Sequence, residues 1–292
     1  MQQKTEIFQT ADGVDLFVRR YSPDEPDPER VLFWVHGLGE HGGRHEHVAQ
    51  GFVQRGWTMI VADLRGHGRS GGVPTHVAAF DQYSDDIACL WERLGLNRIA
   101  PVLLGHSMGG LIAIRTVQLQ RVAPSALVLS SPLLGLKLHV NPLTKLLGRI
   151  LVQFRPTTRF SNGIDPANLT SDAGFAALRR GDPLINKTVT AGWFFAMQTA
   201  LAAAERDAAL ISLPVLAIQG DADRTTDPAA MASWWDRIRS TEKQLVVLPD
   251  HLHELFFASD WNDTLDVMLD WLQQKQQQQQ QQRRKGDLPV IR

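Results

Sequence analysis

One stretch constrains this chain more than any other: Pro101 to Gln118, with Gly105-x-Ser107-x-Gly109 at its centre. Val102 to Leu104 form an apolar run of buried-strand length, and the residues after Gly110 read as a nearly all-apolar helix. A strand that passes into a helix through a single residue must turn sharply there. The turn strains the serine backbone, and a side chain at either flank would strike the neighbouring strand or helix, so glycine stands on both sides. Such a turn puts the Ser107 hydroxyl at the carboxyl end of a sheet and at a helix N-terminus. The unpaired backbone N–H groups there can face a developing negative charge.

The rest of the chain fits around that unit. Ile7 to Gln9 and Val14 to Arg20, split by Ala11-Asp12-Gly13, read as an antiparallel hairpin. Val31 to Val35 is a buried strand that ends in the glycine-rich run His36 to Gly43. A helix over roughly His45 to Arg55 follows, then strand Trp57 to Ala62, a second glycine-rich turn from Asp63 to Gly72, and a helix over Phe80 to Leu94. After the serine unit, strand Ala126 to Leu129 ends at Ser130-Ser131-Pro132. Repeated β-α alternation is the mark of a doubly wound, mostly parallel sheet. The alternation stops at Leu133 and resumes at Leu213, and the stretch between reads as helices and loops without a clear strand. Strand Pro214 to Gly220, helix Pro228 to Arg239, strand Gln244 to Leu248 and helix Asp263 to Leu272 complete the pattern. We therefore expect an α/β core over residues 1–132 and 210–272, with a helical cap, residues 133–209, inserted over the carboxyl edge of the sheet. Residues 273–292, rich in glutamine, carry no apolar periodicity and are expected to be disordered or a frayed extension of the last helix.

Composition excludes several classes. With 30 basic and 31 acidic residues the net charge is -1, so the basic excess of a nucleic-acid binder is missing. The single cysteine, Cys89, rules out an intramolecular disulfide and a cysteine-based metal cluster, and reads as a small buried hydrophobe. His41, His45 and His47 cluster with Glu46, but their spacing does not put them on one helical face, so no metal or other cofactor is expected. Met1 to Gly13 lacks the apolar core of a signal peptide and no run is long enough to span a membrane, which makes the cytoplasm the expected compartment.

Serine is a poor nucleophile unless a base takes its proton and a third group orients that base. Strand Val215 to Gln219 runs into Gly220-Asp221-Ala222-Asp223, with Asp227 beyond, and strand Leu245 to Leu248 runs into Pro249-Asp250-His251-Leu252-His253-Glu254. These strands are consecutive, so their ends are expected side by side, and Ser, Asp, His is the chain order of α/β-hydrolases. Spacing allows Asp221, Asp223 or Asp227 as the acid; Asp227 precedes Pro228 and is better used as a helix cap.

At this point the chain resembles the monoacylglycerol lipase and lysophospholipase branch of the α/β-hydrolases, over Ile7 to about Leu272. The resemblance rests on His36-Gly37-Leu38-Gly39-Glu40-His41-Gly42-Gly43-Arg44, Asp63 to Ser70, Gly105 to Gly110, Asp182-Pro183-Leu184, Gln219 to Asp223 and His253-Glu254-Leu255. It implies a serine ester hydrolase with Ser107 as nucleophile, and it selects Asp223 as the acid and His253 over His251 as the base. The backbone N–H groups of Met108, next to the nucleophile, and of Leu38, in the loop after the earlier strand, match the oxyanion donors. His36 and His106 read as structural hydrogen-bonders beside the site. The chain departs from the pattern at Asp250, at Phe256-Phe257 and at Thr225-Thr226, which places those changes near the leaving-group side and leaves head-group choice open.

In the cap, Leu143, Leu146, Leu147, Ile150, Leu151 and Phe154 make one apolar stripe after the helix start Asn141-Pro142. No Asp or Glu lies between Glu92 and Asp165. Leu143, Leu147, Ile150 and Leu151 are the expected acyl-binding residues, and weak contact of this region with a lipid surface is expected. The expected substrate is a single-chain acyl ester, a monoacylglycerol or a lysophospholipid. The rivals are an amidase or aminopeptidase on the same fold and a non-catalytic lipid-binding protein.

Overall fold

The computed structural model describes residues 1–137, 148–149 and 152–286. Its frame is an eight-stranded sheet. In chain order the strands of that sheet are β1 (Gln2–Gln9), β2 (Asp15–Ser22), β3 (Val31–Val35), β4 (Thr58–Ala62), β5 (Val102–His106), β6 (Leu127–Ser130), β9 (Val215–Gly220) and β10 (Lys243–Leu248). They lie in the order β1-β2-β4-β3-β5-β6-β9-β10. The hairpin β1-β2 and the pair β2-β4 are antiparallel, and every other pairing is parallel. This is the doubly wound, mostly parallel sheet expected from the alternation.

Each parallel strand except the edge strand β10 is buried on both faces, and its alternate residues feed two cores. Val31, Phe33 and Val35 point into one, with α2 (Gln82–Arg93) and α3 (Met108–Gln118). Leu32 and Trp34 point into the other, with α1 (Glu46–Gln54) and the last helix, α7 (Trp261–Gly286). The strand order turns at β3, whose sequence successor β4 lies on one side and β5 on the other. A crevice opens outside the carboxyl ends of the strands at such a switch point. The loop after β3 and the turn after β5 both end there.

The insertion between β6 and β9 departs from the sequence expectation. It contains a small antiparallel sheet, β7 (Arg159–Ser161) with β8 (Thr188–Thr190), where no strand was expected. Both strands are three residues long and β7 is fully exposed, so no apolar alternation marks it. The helices α4 (Ala173–Gly181) and α5 (Ala191–Arg206) complete its described part. The side chains of Asp172 and Thr190 cap them. Leu143, Leu147, Ile150 and Leu151 lie outside the described residues. Helix α6 (Pro228–Arg237) starts at Asp227, whose carboxylate accepts from the Ala229 N–H, the capping role expected of it.

Helix α7 continues into the glutamine run as far as Gly286, an extension of the last helix being one of the two outcomes expected there. Cys89, on α2, is half-buried rather than buried. Phe256 and Phe257 sit in the core against Trp34, His45 and His47.

Candidate active site

Ser107 is the one-residue turn between β5 and α3. Its backbone takes φ 55° and ψ −119°, a conformation that side-chain-bearing residues rarely adopt. The glycines permit the turn: a Cβ on Gly109 would lie 2.1 Å from the Val35 carbonyl oxygen. His253 follows β10, and its Nε2 accepts the Ser107 hydroxyl proton across 2.8 Å. Its Nδ1–H donates to Asp223 Oδ2, also at 2.8 Å, since an ionised carboxylate can only accept. The serine, histidine and aspartate picked from strand ends thus form one continuous chain of hydrogen bonds.

Asp223 is held by more than the histidine. Gln219 Nε2 (2.9 Å) and the Thr226 hydroxyl (2.6 Å) donate to Oδ2, and the Thr225 and Thr226 N–H groups donate to Oδ1. Burial works against its charge, but the His253 hydrogen bond and positive potential, with the Thr226 and Thr225 donors, outweigh it. The carboxyl is held well below the usual carboxylate range. Thr225-Thr226 therefore grips the Asp223 carboxylate. Sequence reading missed Gln219 and Thr226, because their role depends on a loop closing around Asp223. Asp221 is spent elsewhere, accepting from the Asp250 N–H at 2.7 Å. Asp250 itself has φ 59°, the left-handed region that favours glycine. His251 lies outside the chain of hydrogen bonds, against Pro249 O and Asp260.

The loop after β3 supplies the other half. The His36 Nε2 accepts the Leu64 N–H at 2.9 Å, so Nδ1 carries the proton and donates to Gly37 O at 2.8 Å. That fixes the Gly37–Leu38 peptide plane and turns the Leu38 N–H the opposite way, because N–H and C=O of one peptide are antiparallel. Glu40 Oε1 accepts the Gly37 N–H at 2.6 Å. Among the described residues the Leu38 N–H has no hydrogen-bond acceptor. Met108 opens α3, so its N–H has no partner within the helix. Gly37 lies beside Ser107, since a Cβ built on it would be 3.4 Å from Ser107 Cβ. The side chains of His36 and His106 are buried. Burial, and then His67 for His36 and His253 for His106, lower their pKa values to about 3 and about 4. Both stay neutral and structural.

Around this lies a buried ionic cluster. Arg44 pairs with Glu40 and, through two hydrogen bonds of 2.9 and 3.1 Å, with Glu254. Arg179 of α4 donates to Glu254 at 2.6 Å and lies 3.9 Å from Glu40. Burial again opposes the charge on Glu254, and Arg44 and Arg179 outweigh it, holding the carboxyl below its ordinary range. The histidines weighed as a metal cluster face different partners: His41 meets Asp182, His45 lies against Trp34 and Phe257, and His47 meets Phe256 O. No group of side chains suited to holding a metal ion occurs among the described residues.

Fold and site geometry together define an α/β-hydrolase with a serine on its strand-to-helix turn. Residues 26–260 match the hydrolase family described as serine aminopeptidase, S33, and the chain belongs to that family. It is 30% identical over 268 residues to the monoacylglycerol lipase of Mycolicibacterium smegmatis, covering 91% of this chain and 95% of the relative. It is 27% identical to the phospholipase YtpA of Bacillus subtilis, covering 81% and 92% of the two chains. The solved structure of the Paleococcus ferrophilus monoacylglycerol lipase superposes with a TM-score of 0.81 at 27% identity, over 89% of this chain and 99% of the other. The chain is an enzyme, a hydrolase of the serine esterase and lipase type.

Proposed function

We propose that the enzyme cleaves single-chain acyl esters, of the monoacylglycerol or lysophospholipid kind, through an acyl-enzyme on Ser107. The observation that carries this reading is the unbroken relay from Ser107 through His253 to Asp223. His253 takes the hydroxyl proton as Ser107 attacks the acyl carbon and returns it to the leaving alcohol, with Asp223 fixing the tautomer. The N–H groups of Leu38 and Met108 receive the oxyanion. Water, deprotonated by His253, then releases the fatty acid. Residues 133–209 act as a cap over this site, and Leu143, Leu147, Ile150 and Leu151 receive the acyl chain.

The family description includes aminopeptidases, which must bind a free amino group. The two buried glutamates flanking the site do not favour that, because Glu40 and Glu254 are already matched by Arg44 and Arg179. The relatives named as acyl-ester lipases point the same way. Phe154, Phe160 and Leu178 are exposed on the insertion among exposed Arg149, Arg155, Arg159 and Arg180, a surface suited to weak contact with anionic lipid. Among the described residues no helix is long and apolar enough to cross a membrane.

Ser107→Ala is expected to leave the fold intact and to lower ester hydrolysis by several orders of magnitude, up to about 10⁶-fold. Hydrolysis of p-nitrophenyl esters and of aminoacyl-anilides, with fluorophosphonate labelling, tests it. Ester turnover retained by the variant would overturn the nucleophile, and anilide turnover exceeding ester turnover would favour the peptidase reading.

A further inference from the structure

The Asp182-Pro183-Leu184 block has no part in the relay, yet it is tied to the loop that presents the Leu38 N–H. Asp182 closes a turn on itself, Oδ1 accepting the Leu184 N–H at 2.8 Å. That leaves Oδ2 to accept from His41 Nε2–H at 2.7 Å. The tautomer is set by the other ring nitrogen, because His41 Nδ1 accepts the Gly43 N–H at 3.2 Å and so carries no proton. Two residues after the turn, the Asn186 N–H donates to Gly39 O at 2.8 Å, and its side chain donates to Gly66 O at 2.9 Å. The approach is close enough to require glycine: Gly39 has φ +71°, and a Cβ there would lie 2.6 Å from Asn186 O.

We propose that the cap turn Asp182–Asn186 is a positioning element for the oxyanion hole, with Asp182 its principal positioning residue. Resting on the reaction proposed above, the argument is one of pinned peptide planes. His36 and Glu40 hold Gly37 from the core side, and Asn186 holds Gly39 from the cap side. Leu38 lies between them, so its N–H cannot rotate away while both anchors stand. Asp182 keeps His41, at the far end of the same loop, seated as the cap of the 3-10 turn Gly42–His45. Oxyanion donors act through preorganisation, and a peptide free to rotate loses that advantage. Cap docking and transition-state stabilisation are then one structural event, and the end of the cap that carries this turn stays in place during turnover.

The test uses Asp182→Ala in the full-length enzyme. Asp182 is partly exposed, so its loss leaves no buried unpaired charge, unlike loss of Arg179. The readouts are kcat and KM on a p-nitrophenyl ester and the inhibition constant of an acyl trifluoromethyl ketone, whose adduct with serine places an oxyanion in the hole. The expected result is a fall in kcat of about 10–100-fold, KM within about twofold, and a parallel loss of ketone affinity, in the range that one oxyanion donor supplies. Asp165→Ala, which removes a cap elsewhere in the insertion, is the control expected to keep kcat. A melting temperature that drops in Asp182→Ala with kcat and ketone affinity unchanged would overturn the proposal, as would a rise in KM alone. Should Asp182→Ala fail to fold, Asp182→Asn is read by the same three quantities. Fluorophosphonate labelling of Ser107 separates the two readings: a wild-type enzyme that is not labelled there defeats the proposed reaction, whereas a labelled wild type with fully active Asp182 variants defeats only the positioning role.

Discussion

At the scale of single residues, three aspartates near one strand end have three different duties. Asp223 accepts from His253 Nδ1–H, Asp221 holds the Asp250 N–H, and Asp227 caps α6. Asp223→Asn is therefore expected to lower kcat by about 10⁴-fold, because the imidazole then presents a proton to Ser107. Asp221→Asn and Asp227→Asn are expected to change it severalfold at most, and comparable losses in the three would show the acid misassigned. Acid stability follows from the buried histidines. With folded pKa values of about 3 and about 4 against an ordinary 6.5, His36 and His106 bind protons more readily in the unfolded chain. Stability is then complete above pH 6.5 and falls as the pH drops toward those lowered values, by up to about 1.4 kcal/mol per pH unit for each histidine. Urea midpoints at pH 7 and pH 5 should differ accordingly, and the difference should shrink in His106→Gln, which cannot charge.

At the scale of elements, α7 divides into two parts with opposite consequences. Leu265, Met268, Leu269, Trp271 and Leu272 are buried against the sheet, whereas Gln273, Gln274, Gln277 and Gln278 are exposed. Trp271→Ala should cost about 3–5 kcal/mol, the usual cost of emptying a buried aromatic site. Truncation after Gln278 should leave the melting temperature within about 2 °C, since most of the sequence removed is polar, beginning with the run Gln279 to Lys285, and surface changes are usually small. Thermal unfolding followed by circular dichroism compares the two; an equal loss would mean that the glutamine helix packs on something essential. The same contrast explains why the core elements were legible in sequence and the insertion was not. Apolar runs within longer β-α alternation announced β3, β4, β5 and β9, while β7 and β8, three polar-flanked residues each, show no period.

For the whole molecule, the question is how the cap and the core share the work. The relay is built entirely on core strands, and the insertion adds Arg179, Asp182 and Asn186 around it. If the stripe from Leu143 to Leu151 receives the acyl chain, Leu147→Ser and Ile150→Ser should raise KM for long-chain esters by about 10-fold or more and leave acetyl esters nearly unchanged. A buried aliphatic side chain contributes about 1.5–3 kcal/mol to such an encounter. Kinetics across a series of acyl lengths decides it, and equal effects on short and long esters would make the stripe ordinary packing.

The sequence by itself determined the core sheet, the serine turn and the candidates for the relay. Those depend on local patterns: apolar runs, glycines at a strained turn and polar residues at strand ends. Between Asp221 and Asp223, and between His251 and His253, spacing left the choice open, and the family pattern rather than physics favoured one of each. Only the tertiary structure placed Gln219 and Thr226 on the Asp223 carboxylate and Glu254 between two arginines. It alone brought Asp182 against His41, a partner 141 positions away in the chain. The reason is physical. A hydrogen bond between distant residues leaves no period in the sequence, and it exists only once the sheet has brought its loops to one edge.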